Sequence, residues 1–166
     1  MKWLIQPTKV EEGKIKELIN ILEKSSIDYD LVYPFENKVV KQDKTLYHYD
    51  DVYSKNDVIN CHEDVIIAAV KKINKEHRFF IVDGKIATAS LYKINGSIST
   101  SDVIDEGAKI FVENMIKKFD FPGFVIDVAT IGNEYKIVEL NCLNASGFYE
   151  INLYKLIDSV ERYYSK

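Results

Sequence analysis

The fold that the sequence predicts depends most on residues 124–141, FVIDVATIGNEYKIVELN. Two runs rich in β-branched and aromatic residues, Phe124–Thr130 and Tyr135–Asn141, flank Gly132–Asn133, and glycine and asparagine favour a tight turn. The sequence therefore predicts a β-hairpin here. Because side chains alternate between the two faces of a strand, Asp127 lies on the face opposite to that of its apolar neighbours.

The length of the loop decides which residues face each other across this hairpin. A three-residue loop, Gly132–Glu134, places Asp127 directly opposite Glu139, with Asn141 two residues further along the same face. A two-residue loop places Asp127 opposite Val138 instead. We expect the three-residue loop, because it keeps the apolar residues of the two strands together. Those apolar residues are Ile126, Val128, Val138 and Leu140.

Two carboxylates that face each other in the middle of a sheet repel, and this repulsion costs stability. A divalent cation between Asp127 and Glu139 would remove the repulsion, and ligands that are all oxygen suit Mg²⁺ or Mn²⁺ rather than zinc. A magnesium site would in turn point to phosphate chemistry. In the alternative, one carboxylate pairs with Arg78 or a lysine and the other faces solvent. The pattern alone leaves both interpretations open.

A second hairpin precedes the first in the chain. The runs His77–Val82 and Lys85–Tyr92 flank Asp83–Gly84, a strong hairpin signal, and Asn95–Gly96 marks a further turn. We expect an amphipathic helix after a cap at Ser101 or Asp102. Its apolar face consists of Val103, Ala108, Phe111, Val112, Met115 and Ile116.

The two ends of the chain complete the predicted fold. A strand at Lys2–Gln6, a helix that reaches Leu22 and a strand at Asp28–Pro34 form a βαβ unit, which makes a parallel pair of strands. An amphipathic helix over Tyr149–Tyr164 closes the chain. Within the segment Asn144–Gly147, small residues permit either a tight turn close to a ligand or a cap for this last helix.

We therefore expect an α+β fold, with an antiparallel sheet packed on helices and a short N-terminal βαβ element. The predicted division is 1–60, the βαβ segment with an irregular linker, and 61–166, the main domain. This main domain includes a short buried strand at Val65–Val70.

Composition and charge exclude several classes of protein. The chain has 166 residues, 46% of them hydrophobic, and a formal charge of −4, which excludes wholesale disorder and disfavours a dedicated nucleic-acid binder. No apolar run is long enough to cross a membrane, and the start of the chain does not resemble a secretory signal. Cys61 and Cys142 are too few for a disulfide framework. We therefore expect a cytoplasmic protein.

Three runs of sequence together resemble the C-terminal catalytic lobe of ATP-grasp proteins. They are EHRFFIVDGKIATASLYK (76–93), FVIDVAT (124–130) and KIVELNCLNASGFYEIN (136–152). The resemblance covers roughly residues 62–160 and is strongest to a clade of ATP-grasp proteins from bacteria and phages, and it implies that this chain is a shortened member of that clade.

The resemblance implies that ATP-dependent ligation joins a carboxylate to an amine or similar nucleophile through an acyl phosphate. The substrates would be ATP and a small-molecule or peptide carboxylate and amine. Asp127, Glu139 and Asn141 would hold Mg²⁺ (or Mn²⁺) against the phosphates of ATP. Catalytic roles would fall to Arg78, which stabilises the transferred phosphoryl group, and to Lys85, which adds positive charge; Asn144 and Ser146 would contact the acceptor or a phosphate.

Two alternatives remain beside the ligase. Residues 36–62 are short for a lobe that clamps a nucleotide, so a second subunit, from a homo-oligomer or a partner, would complete the clamp. Otherwise the chain is a non-catalytic relative that binds a nucleotide or a protein. A third hypothesis is a metal-dependent nuclease, because Asp127 on one strand and Glu139 with Asn141 on the next are similar to the metal hairpin of restriction-type enzymes.

Overall fold

The computed structural model describes residues 2–5, 12–31 and 71–165 of the chain. The elements within these ranges are β1 (Lys2–Ile5), α1 (Glu12–Leu22), β2 (Asp28–Leu31), β3 (Lys75–Val82), β4 (Lys85–Ile94), β5 (Ser97–Ser101), α2 (Glu106–Ile116), β6 (Gly123–Ile131), β7 (Glu134–Asn141), a short 3-10 helix (Leu143–Ala145) and α3 (Leu153–Tyr164). The predicted strand at Val65–Val70 and the predicted boundary between residues 60 and 61 lie outside the described residues.

The strands form two sheets, and their arrangement confirms the predicted α+β class. Strands β1 and β2 are parallel and α1 connects them, as the N-terminal pattern predicts. The other five strands form an antiparallel sheet in the order β5-β4-β3-β6-β7. The turn at Asp83–Gly84 has positive φ at both residues, 52° and 67°, the backbone of the tight hairpin turn that this pair favours.

Helices cover both faces of the five-stranded sheet. Phe79 and Ile126 face α2, where they pack against Val112 in one apolar cluster. Phe80 faces the other side and belongs to a second cluster with residues of α1 and α3, such as Leu156. Strands β3 and β6 therefore lie in the middle of a three-layer arrangement, and their side chains are buried on both faces.

The hairpin of β6 and β7 pairs Asp127 with Glu139, as predicted, but the turn is shorter than predicted and a bulge corrects the register. The turn has two residues, because Ile131 already pairs with Glu134, and the expected three-residue loop is wrong. A register shift restores the pairing: Val128 faces Ile137 and Asp127 faces Glu139, which leaves Val138 as an extra residue in β7. Such a bulge moves every later side chain of the strand to the opposite face.

The bulge also changes the expected apolar face of β7. Ile137, rather than Val138, packs against the cluster under α2, and Val138 is 47% exposed. Leu140 is also exposed, at 41%. The apolar pattern correctly favoured Asp127 opposite Glu139, but it wrongly grouped Val138 with the apolar residues of β6.

Both long helices of the main domain begin later than predicted. Ser101 pairs with Leu91 as part of β5, so α2 begins only at Glu106 and Val103 is exposed. The last helix begins at Leu153, where the side chain of Asn152 caps it by accepting a hydrogen bond from the backbone N–H of Lys155.

The residues before Asn152 cross the sheet instead of forming helix. The backbone N–H of Asn152 donates to Thr88 Oγ1 at 3.0 Å and that of Glu150 donates to Ser90 Oγ at 3.2 Å. We call residues 146–152 the crossing segment. Within the ranges described above, no helix combines the length and apolar character that crossing a membrane requires.

Candidate functional site

An ion pair between Arg78 on β3 and Asp127 on β6 forms the centre of the candidate site. The two residues are directly opposite in the register of neighbouring strands. Arg78 Nε donates to Asp127 Oδ1 at 2.9 Å and Nη2 donates to Oδ2 at 2.7 Å, so the contact is bidentate. Both residues are buried. The planar guanidinium matches both carboxylate oxygens, which fixes the orientation of the two side chains.

Tyr92 approaches this ion pair from the other side of β3, because of a second bulge. Glu76 pairs with Lys93 and His77 with Leu91, so Tyr92 is the extra residue of β4. Its hydroxyl lies 2.7 Å from Glu76 Oε2 and 3.2 Å from Asp127 Oδ2. One phenolic proton therefore lies between two buried carboxylates.

The surroundings keep this phenol protonated. Burial raises the pKa of Tyr92 well above its ordinary value, and the negative charge of Asp127 and the hydrogen bond to Glu76 raise it further. Burial by itself lowers the pKa of Arg78, but the hydrogen bond and the charge of Asp127 outweigh burial, so this pKa is raised as well. Arg78 and Tyr92 consequently act as fixed hydrogen-bond donors.

The crossing segment closes over the guanidinium of Arg78. Nη1 of Arg78 donates to the carbonyl oxygen of Gly147 at 3.3 Å. The rings of Tyr92 and Tyr149 stack with their centroids 5.0 Å apart, and Arg78 Cζ lies 5.2 and 5.3 Å from these two centroids. Tyr149 has φ of 48°, a region that non-glycine residues rarely adopt. Strained backbone of this kind is concentrated at functional sites.

Glu139 and Asn141 form the exposed part of the site. Glu139 is exposed and accepts a hydrogen bond from Asn141 Nδ2 at 2.6 Å. In the register, Glu139 lies opposite Asp127 and Asn141 opposite Val125. The structure thus brings the three predicted metal ligands to one face, while Asp127 is paired with Arg78 and Glu139 faces solvent. Among the described residues, no three His, Cys, Asp or Glu side chains form a group that could hold a metal.

Two other predicted site residues, Ser146 and Asn144, lie at the start of the crossing segment and just before it. Ser146 is buried in the crossing segment, next to Gly147, and its hydroxyl donates to the carbonyl oxygen of Cys142 at 3.2 Å. Asn144 is exposed in the 3-10 helix.

Lys85 is not near the ion pair. It pairs with Val82 beside the turn, whereas Ser90 pairs with Arg78. Ser90 is five residues further along β4 than Lys85, a distance of roughly 16 Å at about 3.3 Å per residue. The structure therefore does not bring Lys85 together with the other residues.

The sequence interpretation missed Glu76, Tyr92 and Tyr149. Strand alternation was a usable signal for Glu76, since it is two residues before Arg78 and on the same face. The tyrosines gave no such signal. Tyr92 reaches the site through a bulge, and Tyr149 lies in a segment that was expected to be helical.

Comparison with known proteins agrees with this fold. The sequence model of the family described as "ATP-grasp domain, R2K clade family 3" matches residues 8–160. The match extends further towards the N-terminus than the motifs in the sequence indicate. No curated protein and no solved structure shows a significant match to the chain.

Proposed function

Because the chain belongs to the family described as ATP-grasp domain, R2K clade family 3, we propose that it is an ATP- and Mg²⁺-dependent ligase that joins a carboxylate to an amine through an acyl phosphate. The observation that supports this proposal most is the register of β6 and β7. It places Glu139 opposite Asp127, with Asn141 on the same face, beside a buried arginine.

The donor atoms of these three residues fit a magnesium ion. Two carboxylates and an amide oxygen are the ligands that Mg²⁺ prefers. Asp127 accepts two hydrogen bonds from Arg78 and one from Tyr92, and a carboxylate offers about four lone-pair positions, so one position is left for a further partner. Glu139 is exposed and can turn without leaving a buried group unpaired. When bound, Mg²⁺ would neutralise charge on the phosphates.

Arg78 would orient the site and stabilise the charge of the transferred group. Its Nε and Nη2 hold Asp127 in place, while Nη1 makes only one long contact, with Gly147, and has a second N–H that can donate to a phosphate oxygen. In the proposed reaction, a carboxylate oxygen of the substrate attacks the γ-phosphorus of ATP and ADP leaves. The amine then attacks the acyl carbon, and phosphate leaves.

The remaining residues have secondary roles in the proposal. Ser146, at the start of the crossing segment, and Asn144, in the 3-10 helix before it, would contact the acceptor or a phosphate. Lys85 would act only by adding positive charge at a distance. The proposal retains a cytoplasmic location and a clamp over ATP that a second copy of the chain or a partner subunit would complete.

Calorimetry tests nucleotide binding. We expect the wild type to bind ATP only with Mg²⁺ and Glu139→Ala to lose this binding. Glu134→Ala is the matched control, because Glu134 is on the same strand and its exposed partner is Lys136. Absence of heat with the wild type, or equal binding by the two variants, would contradict the proposal.

A second candidate function is a non-catalytic binding module. The observation that favours it is that both carboxylate oxygens of Asp127 are engaged by Arg78. Release of phosphate from ATP, measured over a panel of amino acids and small carboxylates, separates the two candidates. A substrate-dependent release that Glu139→Ala abolishes supports the ligase, whereas tight ATP binding without release over the panel supports the module.

A further inference from the structure

The two carboxylate oxygens of Asp127 have different hydrogen-bond partners. Oδ1 accepts one hydrogen bond, from Arg78 Nε at 2.9 Å. Oδ2 accepts one from Arg78 Nη2 at 2.7 Å and lies 3.2 Å from the hydroxyl of Tyr92. Each oxygen of a carboxylate offers about two lone-pair positions. Among the described residues, Oδ2 therefore has two partners, whereas Oδ1 has one and keeps a position for another.

The hydrogen bonds to Asp127 and the other proposed metal ligands come from opposite sides of β6. The strand order β4-β3-β6-β7 places Tyr92 on β4 and Arg78 on β3, both on one side of Asp127. Glu139 and Asn141 lie on β7, on the other side. A cation held by Asp127 and Glu139 would therefore lie on the side of Asp127 away from Tyr92.

Other contacts hold the hydroxyl of Tyr92 in place. It lies 2.7 Å from Glu76 Oε2, closer than to Asp127, and Glu76 Oε1 lies 3.4 Å from Lys93 Nζ. The ring of Tyr92 stacks on that of Tyr149 with the centroids 5.0 Å apart. Tyr92 and Glu76 are both buried. The position of the hydroxyl is therefore fixed by groups other than Asp127.

We propose that Tyr92 is a positioning residue of the proposed metal site, an inference that rests on the proposed function. With Arg78, its hydroxyl occupies Oδ2 and leaves Oδ1 as the oxygen of Asp127 that binds the cation. Asp127 then contributes a single oxygen, which suits the octahedral shell of Mg²⁺, where water supplies several ligands. Ca²⁺ takes about six to eight oxygens and often both oxygens of one carboxylate. Tyr92 thereby favours Mg²⁺ over Ca²⁺.

Removing the hydroxyl should weaken this preference. In the wild type, a rotation of the Asp127 carboxylate that offers both oxygens to a large cation disrupts contacts with both Arg78 and Tyr92. In Tyr92→Phe, the same rotation disrupts contacts with Arg78 alone. We therefore expect the ratio of the Mg²⁺ affinity to the Ca²⁺ affinity to fall by roughly fivefold, the equivalent of about one hydrogen bond.

Electron paramagnetic resonance of Mn²⁺ tests this role on the full chain without ATP. Bound Mn²⁺ loses the sharp signal of the free ion, and competition with Mg²⁺ and with Ca²⁺ gives the affinity for each metal. Glu139→Ala identifies the binding that belongs to this site. We expect the wild type to prefer Mg²⁺ and Tyr92→Phe to lose most of that preference. Tyr154→Phe is the matched control, because Tyr154 is exposed on α3 and its hydroxyl should not affect the preference.

Three further variants separate the placement of the hydroxyl from the stability of the fold. Val112→Ala removes buried apolar contacts on the α2 face and should lower the free energy of unfolding without changing the metal preference. Glu76→Gln keeps a hydrogen-bond partner for the hydroxyl and should retain the preference, whereas Glu76→Ala should lower it as Tyr92→Phe does. A fall in preference with Val112→Ala, or equal falls with the two Glu76 variants, would overturn the proposal.

The outcomes distinguish this role from the proposed function itself. Absence of Mn²⁺ binding by the wild type, or binding that Glu139→Ala retains, would contradict both the metal site and the role of Tyr92. Binding that requires Glu139, with no preference for Mg²⁺ or with the same preference in Tyr92→Phe, would overturn the role of Tyr92 alone. A preference for Mg²⁺ that Tyr92→Phe lowers supports both.

Discussion

Strands β3 and β6 carry opposite chemistry on their two faces. Towards α2, Phe79, Ile126 and Val128 are apolar and fully buried. Towards the other helices, Arg78 and Asp127 form a bidentate ion pair at the same level of the same two strands. Only the alternation of side chains along the strands separates the apolar core from the charged group.

The two faces contribute differently to the stability of the fold. Burial of apolar surface stabilises the sheet, whereas a buried ion pair seldom does, because removing two charges from water costs about as much as their attraction returns. The apolar face therefore stabilises the arrangement of the strands, and this arrangement sets the positions of Arg78 and Asp127 on the charged face. An ion pair that adds little stability is better explained by the orientation that it gives to Asp127.

The largest expected effect on stability comes from removing the carboxylate of Asp127 from the charged face. Asp127→Ala leaves the guanidinium of Arg78 buried without its counter-charge, and we expect the free energy of unfolding to fall by about 3–5 kcal/mol. Urea denaturation measures this loss. The double variant Arg78→Met with Asp127→Leu should recover most of it, because both charges are then absent. A double variant as unstable as the single one would show that the pair itself stabilises the fold.

Tyr92→Phe tests how far the charged face extends. The substitution removes the hydroxyl that lies between Glu76 and Asp127, and it leaves these buried carboxylates with one donor fewer. We expect the free energy of unfolding to decrease by about 1–3 kcal/mol. Tyr154→Phe serves as the control, since Tyr154 is 57% exposed and its loss should be negligible. Equal effects at the two tyrosines would confine the polar network to Arg78 and Asp127.

His77 is the exception on the apolar face, and it predicts a dependence on pH. Both ring nitrogens are buried without a hydrogen-bond partner in the described ranges, and Nε2 lies 3.9 Å from Asp105 Oδ2. Burial lowers the pKa of His77 below 6.5, although Asp105 opposes the shift and Lys75 adds to it. Between the lowered pKa and 6.5, the unfolded chain binds a proton that the folded chain does not.

Stability should therefore be highest above pH 6.5 and should fall as the pH decreases below it, until the folded pKa is reached. The slope from one such group is at most about 1.4 kcal/mol per pH unit. Thermal unfolding of the wild type and of His77→Leu over this range measures the difference. Parallel pH profiles for the two proteins would show that His77 does not cause the loss.

The smallest expected effect on stability is at the exposed part of the site. Glu139→Ala should change the free energy of unfolding by less than about 0.5 kcal/mol, because Glu139 faces solvent and its partner Asn141 can bind water instead. Chemical denaturation compares it with Glu134→Ala. A loss above about 1 kcal/mol would place Glu139 with the stabilising residues rather than with the residues that bind a ligand.

Most of the fold could be predicted because the decisive signals are local. The pairs Asp83–Gly84 and Gly132–Asn133 define the two hairpins, and the apolar spacing in the N-terminal segment indicates α1. Helix starts were less predictable. Ser101 has the chemistry of a cap, but its pairing with Leu91 in β5 is a contact between distant residues that no local pattern encodes.

The residues of the candidate site could be predicted where side chains alternate regularly along a strand, but not where a bulge interrupts this alternation. Asp127 and Arg78 follow the regular period of their strands. Tyr92 and Val138 are extra residues, and the position of an extra residue depends on the twist and packing of the whole sheet. For the same reason, the sequence predicted the correct partner of Asp127, Glu139, although it predicted the wrong loop length.

Val138 shows how a single residue can control the chemistry of this hairpin. The bulge keeps Glu139 opposite Asp127 although Val138 stands between Ile137 and Glu139 in the chain. If β7 paired regularly with β6 through Val138, that residue would lie opposite Asp127, and Glu139 and Asn141 would turn to the α2 face. Deleting Val138 would instead remove the bulge and leave Glu139 opposite Asp127. The proposed metal site therefore depends on a sheet that accommodates one extra residue at this point of β7.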